Sequence, residues 1–197
     1  VHVALGHSDA TYEEALACVN AGADIFVHTY NGMSGLHHRE PGMVGAAMTT
    51  HGTYAEAICD GHHLNPIAVR ALVNAKGYDH TVLITDCMRA GGMPNGQYKL
   101  GDFPVVVEGG TARLMDESHS LAGSILRLFE GVKNVFDWGI VSAEEAVRMA
   151  SENPARSCGI DDVCGFIRPG YDADFIVVTK DLQLEETFLG GKSVYKA

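Results

Sequence analysis

A chain of 197 residues, 46% hydrophobic and 20% charged, has the composition of an ordinary globular protein, long enough for one core and a small appendage. Its net charge of −11 argues against a nucleic-acid partner, since neutralising a phosphate backbone takes clustered Lys and Arg, whereas a small anion needs only a local positive site. No apolar run reaches the roughly 20 residues of a membrane span and no signal-peptide pattern is present, while five cysteines without a CxxC pair read as reduced thiols of a cytoplasmic protein.

Residues 1–5, apolar apart from His2, read as a strand that ends in Gly6-His7-Ser8. Val1 stands in the middle of this run with no methionine before it, which reads as a piece of something longer. Thr11-Tyr12-Glu13-Glu14 is a capping box, and the apolar spacing of Tyr12, Ala15, Leu16 and Val19 predicts a helix ending near Gly22. Ile25-Phe26-Val27 is a short buried strand ending in His28, followed by a Gly-, His- and Asn-rich loop to Gly42. A short helix opens at Pro41-Gly42. Residues 54–59 form the next strand, which ends in Asp60-Gly61-His62-His63; Asn65-Pro66 then cap a helix with Ala68, Val69, Leu72 and Val73 on its apolar face. Residues 81–84 are a strand ending in Thr85-Asp86.

From about 91 to 117 the texture changes to short alternating strands, residues 103–107 and 111–114 among them, punctuated by Gly, Pro and Asn. Ser124 is placed to cap a helix that buries Ile125, Leu128, Phe129, Val132, Val135 and Phe136, and Ser142-Ala143-Glu144-Glu145 is a second capping box. The tail reads as β: Phe166-Ile167, residues 173–179, and residues 187–195 turning at Gly190-Gly191.

Four successive strands thus end in chemically capable residues, His7, His28, His63 and Asp86, at spacings of 21, 35 and 23. Repeated βα units predict a parallel sheet whose strand tips share one edge, where α/β enzymes place metal ligands and catalytic groups. Eight of the ten histidines precede residue 64, which points to the same region. Neutral imidazoles from adjacent tips suit a divalent cation, zinc above all, and a catalytic zinc takes three protein ligands, so His7 and His28 call for a third. Asp86 is placed as a second-sphere base or as a ligand itself. Beyond His28, Arg39 offers a planar fork for phosphate or carboxylate, and Asn31 with the Gly32 amide adds hydrogen-bond donors. His62 and His63 are neighbours, so one of them faces the pocket, and His63 is the expected one. Each residue also has a structural alternative, as a satisfied core histidine, a loop cap or a solvated charge.

Gly6-His7-Ser8-Asp9-Ala10-Thr11, His28-Thr29-Tyr30-Asn31-Gly32-Met33, Arg39-Glu40-Pro41-Gly42, Asp60-Gly61-His62-His63 and Thr85-Asp86 occur in the order that resembles the N-acetylglucosamine-6-phosphate deacetylases of the amidohydrolase superfamily. The segment from Gly165 to Asp174 is similar to the stretch with which many amidohydrolases enter a small β domain. The resemblance implies an α/β fold: the C-terminal half, strands five to eight, of a (β/α)8 TIM-like barrel over residues 1–162, with residues 163–197 joining a small β-sandwich. It makes His7 and His28 metal ligands, with the third, a glutamate, on an earlier strand. It makes Asp86 the acid/base that activates water against the acetamide of N-acetylglucosamine 6-phosphate, an amino-sugar phosphate substrate. Asn31, Gly32 and Arg39 would hold the phosphate, Arg39 reaching across a homodimer in the full-length protein. Asp60 and His63 would line the sugar site, and Leu121, Ala122 and Gly123 would form a loop closing on it. Gly32 stands where alanine is common, and Cys87 where alanine often follows the aspartate. The competing expectations are another amidohydrolase, acting on a cyclic amide or an aminopurine, and a non-catalytic half-barrel that only binds sugar phosphate.

Overall fold

The computed structural model describes residues 1–197. Four parallel strands, β1 (Ala4–Leu5), β2 (Ile25–Phe26), β3 (Tyr54–Ile58) and β4 (Thr81–Ile84), lie side by side in sequence order. Helices α1 (Tyr12–Asn20), α2 (Gly42–Thr49) and α3 (Pro66–Lys76) separate them. Parallel neighbours in sequence order, each joined through a helix, put all four C-terminal strand ends on one edge.

The helices start where local chemistry starts them. The Thr11 hydroxyl accepts from the Glu14 N–H at 3.2 Å while the Glu14 carboxylate accepts from the Thr11 N–H at 2.9 Å. Asn65 accepts from the Ile67 N–H at 2.9 Å, ahead of Pro66 in the first turn of α3. The first strand is shorter than expected: only Ala4–Leu5 pair, with Val1 and Val3 exposed, because β1 has a single neighbour and no element covers residues 1–3.

Between β4 and the next helix comes an antiparallel sheet of β5 (Gly96–Leu100), β6 (Phe103–Glu108) and β7 (Thr111–Leu114). It has a core of its own, in which Met88, Ala90, Val105, Val107, Ala112 and Ala122 are buried. Helix α4 (Leu128–Asp137) then begins three residues later than its sequence pattern implies. Its first turn is closed by Glu130 reaching back to the Arg127 N–H at 3.1 Å, and Ser124 does not cap it. Leu128 is consequently exposed, and Ile125 packs against the antiparallel sheet rather than on the helix. Val132 and Val135 do face inwards.

Helix α5 (Ala143–Ala150), opened by the Ser142/Glu145 box, leads into α6 (Glu152–Ser157). The main core joins Ala55, Ala57, Cys59 and Leu83 of the strand region to Val69 and Leu72 of α3, Val132 and Val135 of α4, and Ala146 and Met149 of α5. Leu182 of the tail is buried in this same cluster. The tail is a second antiparallel sheet, β8 (Phe175–Val178), β9 (Leu184–Leu189) and β10 (Lys192–Lys196). Phe166-Ile167 is not a strand: Ile167 is exposed, and the Phe166 ring stacks beneath the Arg168 guanidinium at 4.0 Å, a contact that an extended pairing would not provide.

Candidate active site

His7 follows β1, His28 follows β2 and Asp86 follows β4 on the shared edge. All three have left-handed backbones, with φ of 45°, 29° and 48°. A non-glycine residue in this region is strained and persists only where its surroundings hold it, a condition that clusters at functional sites.

The surroundings that hold each tip are visible. After His7, the Ser8 N–H donates to the Gly32 carbonyl at 2.9 Å and the Ser34 N–H to the Ser8 carbonyl at 3.2 Å. The Gly32 backbone lies so close to the His7 ring that a Cβ there would stand 2.9 Å from Nδ1. The His28 N–H points at the Glu56 carboxylate at 3.4 Å, and the Thr29 N–H donates to the Glu56 carbonyl at 2.8 Å. Asn31 returns its side chain to the His28 carbonyl at 3.4 Å. At the fourth tip the Asp86 carbonyl accepts from the Ser124 N–H at 2.8 Å, and a Cβ on Gly123 would come 2.9 Å from that carbonyl oxygen.

The rings of His7 and His28 meet edge to face, with centroids 4.6 Å apart. His28 is buried, and its Nδ1 has no hydrogen-bond partner. A buried ring nitrogen without a partner costs on the order of 1–3 kcal/mol, which a ligand at that atom would recover. No third His, Cys, Asp or Glu joins them in a group that could hold a metal ion.

Glu56 was not singled out from the sequence. It stands at the centre of β3, opposite in alternation to Ala55 and Ala57, which face the helices. Burial is the main influence on its carboxyl and raises its pKa; the charge of Asp86 adds to the rise, and the N–H and charge of His28 oppose it. A charged residue in the middle of an otherwise apolar strand was the available signal.

Asp60 and His63 form a separate unit. The Asp60 carboxylate accepts from the His62 and His63 N–H groups at 2.8 Å and lies 2.7 Å from His63 Nδ1. Burial alone would raise the Asp60 pKa, yet these hydrogen bonds from His63 and His62 prevail and hold it below the usual carboxylate range. His63 is folded against Asp60, with its side chain 6% exposed, while His62 lines an open groove of 570 Å³ together with Asp60, Gly110, Arg127, Glu130 and Asn134. The neighbouring Cys59 thiol is pushed up to about 12 by burial and by Asp60, which leaves it an inert core group.

Arg39 is exposed and is not brought to the histidine pair; its guanidinium donates to His38 Nε2 at 2.7 Å within its own loop. Leu121 and Ala122 continue the antiparallel sheet: Leu121 pairs with Arg113, and the Ala122 N–H donates to the Ala112 carbonyl at 2.9 Å, with the Ala122 side chain in that sheet's core. Gly123, which follows them, abuts Asp86.

The family model described as the amidohydrolase family matches residues 1–194. The chain is 46% identical over 197 residues to an N-acetylglucosamine-6-phosphate deacetylase of Vibrio furnissii, covering 100% of this chain and 49% of that one. It is 44% identical over 192 residues to an N-acetylgalactosamine-6-phosphate deacetylase of Escherichia coli O157:H7, covering 98% of this chain and 50% of that protein. Among solved structures, the N-acetylglucosamine-6-phosphate deacetylase of Thermotoga maritima superposes with a TM-score of 0.92 at 35% identity, covering 100% of this chain and 53% of the other. The chain spans about half the length of the curated relatives it matches. With nearly every residue inside the family model and the strand-edge site in place, the chain belongs to the amidohydrolase family.

Proposed function

We propose that this chain carries the acid/base and part of the metal site of a deacetylase acting on an N-acetylhexosamine 6-phosphate, in amino-sugar catabolism. The observation that carries the reading is the edge-to-face pair of His7 and His28 with its unpartnered, buried Nδ1, on the same strand edge as Asp86. Two imidazoles in contact, one lacking any hydrogen-bond partner, fit a divalent cation, and nitrogen donors of this kind favour zinc. With no third ligand among these residues, the set is completed by a residue outside them. Consistent with that, four parallel strands in sequence order are read as half of a (β/α)8 barrel over residues 1–162, and residues 163–197 as strands of a small β-sandwich.

A bound cation would polarise the acetamide carbonyl and acidify the attacking water. Asp86 takes the proton of that water through its carboxylate oxygen and delivers it to the amine nitrogen as the C–N bond breaks, leaving the amino-sugar phosphate and acetate. Asn31 and the Gly32 backbone, beside the two histidines, bind the 6-phosphate. Arg39, turned into its own loop here, completes phosphate binding across the interface of a homodimer. Asp60, with His63 held against it, lines the sugar site, which Leu121, Ala122 and Gly123 border. No helix is long and apolar enough to cross a membrane, and a cytoplasmic location suits a phosphorylated substrate.

The test is acetate release by the full-length protein from N-acetylglucosamine 6-phosphate, its galactosamine epimer and the unphosphorylated sugars. Turnover is expected only with phosphate present, and Asp86→Asn is expected to abolish it with metal content unchanged. Full activity in that variant, or equal turnover of the unphosphorylated sugars, overturns the reading.

A further inference from the structure

We infer that Ser124 is a positioning residue for Asp86. The inference rests on the reading of Asp86 as the acid/base; the geometry itself is independent of it. Ser124 is 3% exposed and lies 38 residues beyond Asp86, past the whole antiparallel excursion. Its hydroxyl donates to the Thr85 carbonyl, and its N–H donates to the Asp86 carbonyl at 2.8 Å. The Ser124 carbonyl accepts from the Met88 N–H at 2.9 Å, and the hydroxyl oxygen also accepts from the Leu126 N–H at 3.1 Å. Cys87 and Ser124 pair as a parallel bridge.

The two carbonyls that Ser124 holds belong to the two peptide planes flanking the Asp86 α-carbon. The angle between those planes is what φ and ψ describe, so fixing both carbonyls fixes the direction in which the Asp86 side chain leaves the backbone. That backbone stands at φ 48°, where an unsupported aspartate would relax. The hydroxyl bond reaches the Thr85 carbonyl from a chain-distant residue, which a local turn cannot supply. On its other side Ser124 is joined through Gly123 to Leu121 and Ala122, zipped to β7, so the antiparallel sheet anchors the residue that anchors Asp86.

The experiment compares Ser124→Ala, Ser124→Thr and Ser124→Val in the full-length, metal-loaded protein, with N-acetylglucosamine 6-phosphate and its epimer as substrates. Thr and Val have nearly the same shape and differ in the hydroxyl, so the pair separates the hydrogen bond from bulk. Misplacing a reacting group costs roughly 10- to 100-fold in rate. Ala and Val are expected to lose kcat by about that factor with KM and metal content unchanged, while Thr recovers most of it. Crystal structures of the Ala and Val variants are expected to show Asp86 out of the positive-φ region. Wild-type kcat in Ser124→Val, or an equal loss in Thr and Val, overturns the inference. If the wild-type protein hydrolyses neither sugar phosphate, the functional reading fails instead. The structures then decide Ser124 alone: an Asp86 backbone unmoved in Ser124→Ala refutes its role, and a displaced one supports it.

Discussion

Replacing His7 and Asp86 first by alanine and then by glycine separates backbone strain from side-chain chemistry. Both residues are exposed, so truncation removes little packing, and both hold φ in the left-handed region, at 45° and 48°. A Cβ in that region costs roughly 1–2 kcal/mol. Glycine escapes this cost but adds roughly 0.5–1 kcal/mol of unfolded-state entropy. The difference favours glycine over alanine by about 0.5–1 kcal/mol at both positions, the reverse of the ordinary order. Ala71, exposed in the middle of α3, supplies the contrast: Ala71→Gly is expected to lose roughly 0.8–1 kcal/mol. Urea denaturation and thermal unfolding read the effect, at about 2–4 °C per kcal/mol for a chain of this size. Alanine variants as stable as the glycine variants would refute the strain argument, since the two differ only in the Cβ that the left-handed backbone opposes.

Asn153 is 1% exposed and gives its amide hydrogens to the Tyr78 and Thr81 carbonyls at 2.7 and 2.8 Å, so Asn153→Ala, which takes one donor from each carbonyl, is expected to cost about 1–3 kcal/mol in denaturant titrations. Leu72→Ala empties a fully buried site in the main core and is expected to cost roughly 2–5 kcal/mol, whereas Ile67→Ala on the exposed side of the same helix should stay within about 0.5 kcal/mol. Burial lowers the Lys76 ammonium to about 8, below its unfolded value, although it donates to the Thr50 carbonyl and the Thr53 hydroxyl. Between pH about 8 and about 10.4 the unfolded chain therefore binds more protons than the folded one, and stability relative to Lys76→Met is expected to rise with pH across that window, as midpoints of unfolding at each pH would show.

The local signals in the sequence matched what the chain does locally. Thr11 with Glu14, Asn65 with Pro66, and Ser142 with Glu145 cap the helices they precede, because a capping bond joins residues two or three apart. Ser124 has the same sequence appearance, a serine before an apolar helical run, yet its hydroxyl goes to Thr85, a partner 39 residues away that no local pattern announces. Strand β5 lies within the stretch read as short alternating strands, but its own bounds are not legible there, because Gly96-Gln97-Tyr98-Lys99-Leu100 carries no β-branched residue and its pairing with β6 defines it. Of the candidate site, the strand-tip positions of His7, His28 and Asp86 were legible from the βα rhythm. The contact between the two rings, the left-handed backbones and the place of Glu56 all depend on neighbouring strands, and periodicity is blind to them.

What holds the candidate site together is a forward stitch along the chain. Strands β1 and β2 pair over two residues each, too few hydrogen bonds to impose a strained conformation on the residue that follows. Each tip is instead fastened from the unit that comes next: the turn after His7 from Gly32, His28 from Glu56, and Asp86 from Ser124. A perturbation in one unit therefore reaches chemistry borne by the unit before it. This is why the antiparallel excursion, whose core packs Val105, Val107 and Ala112 with Met88 and Ala90, bears on Asp86. The fastening of that tip runs through Leu121 and Ala122 into β7, and its order is the order of a sheet that carries none of the candidate metal or acid/base groups.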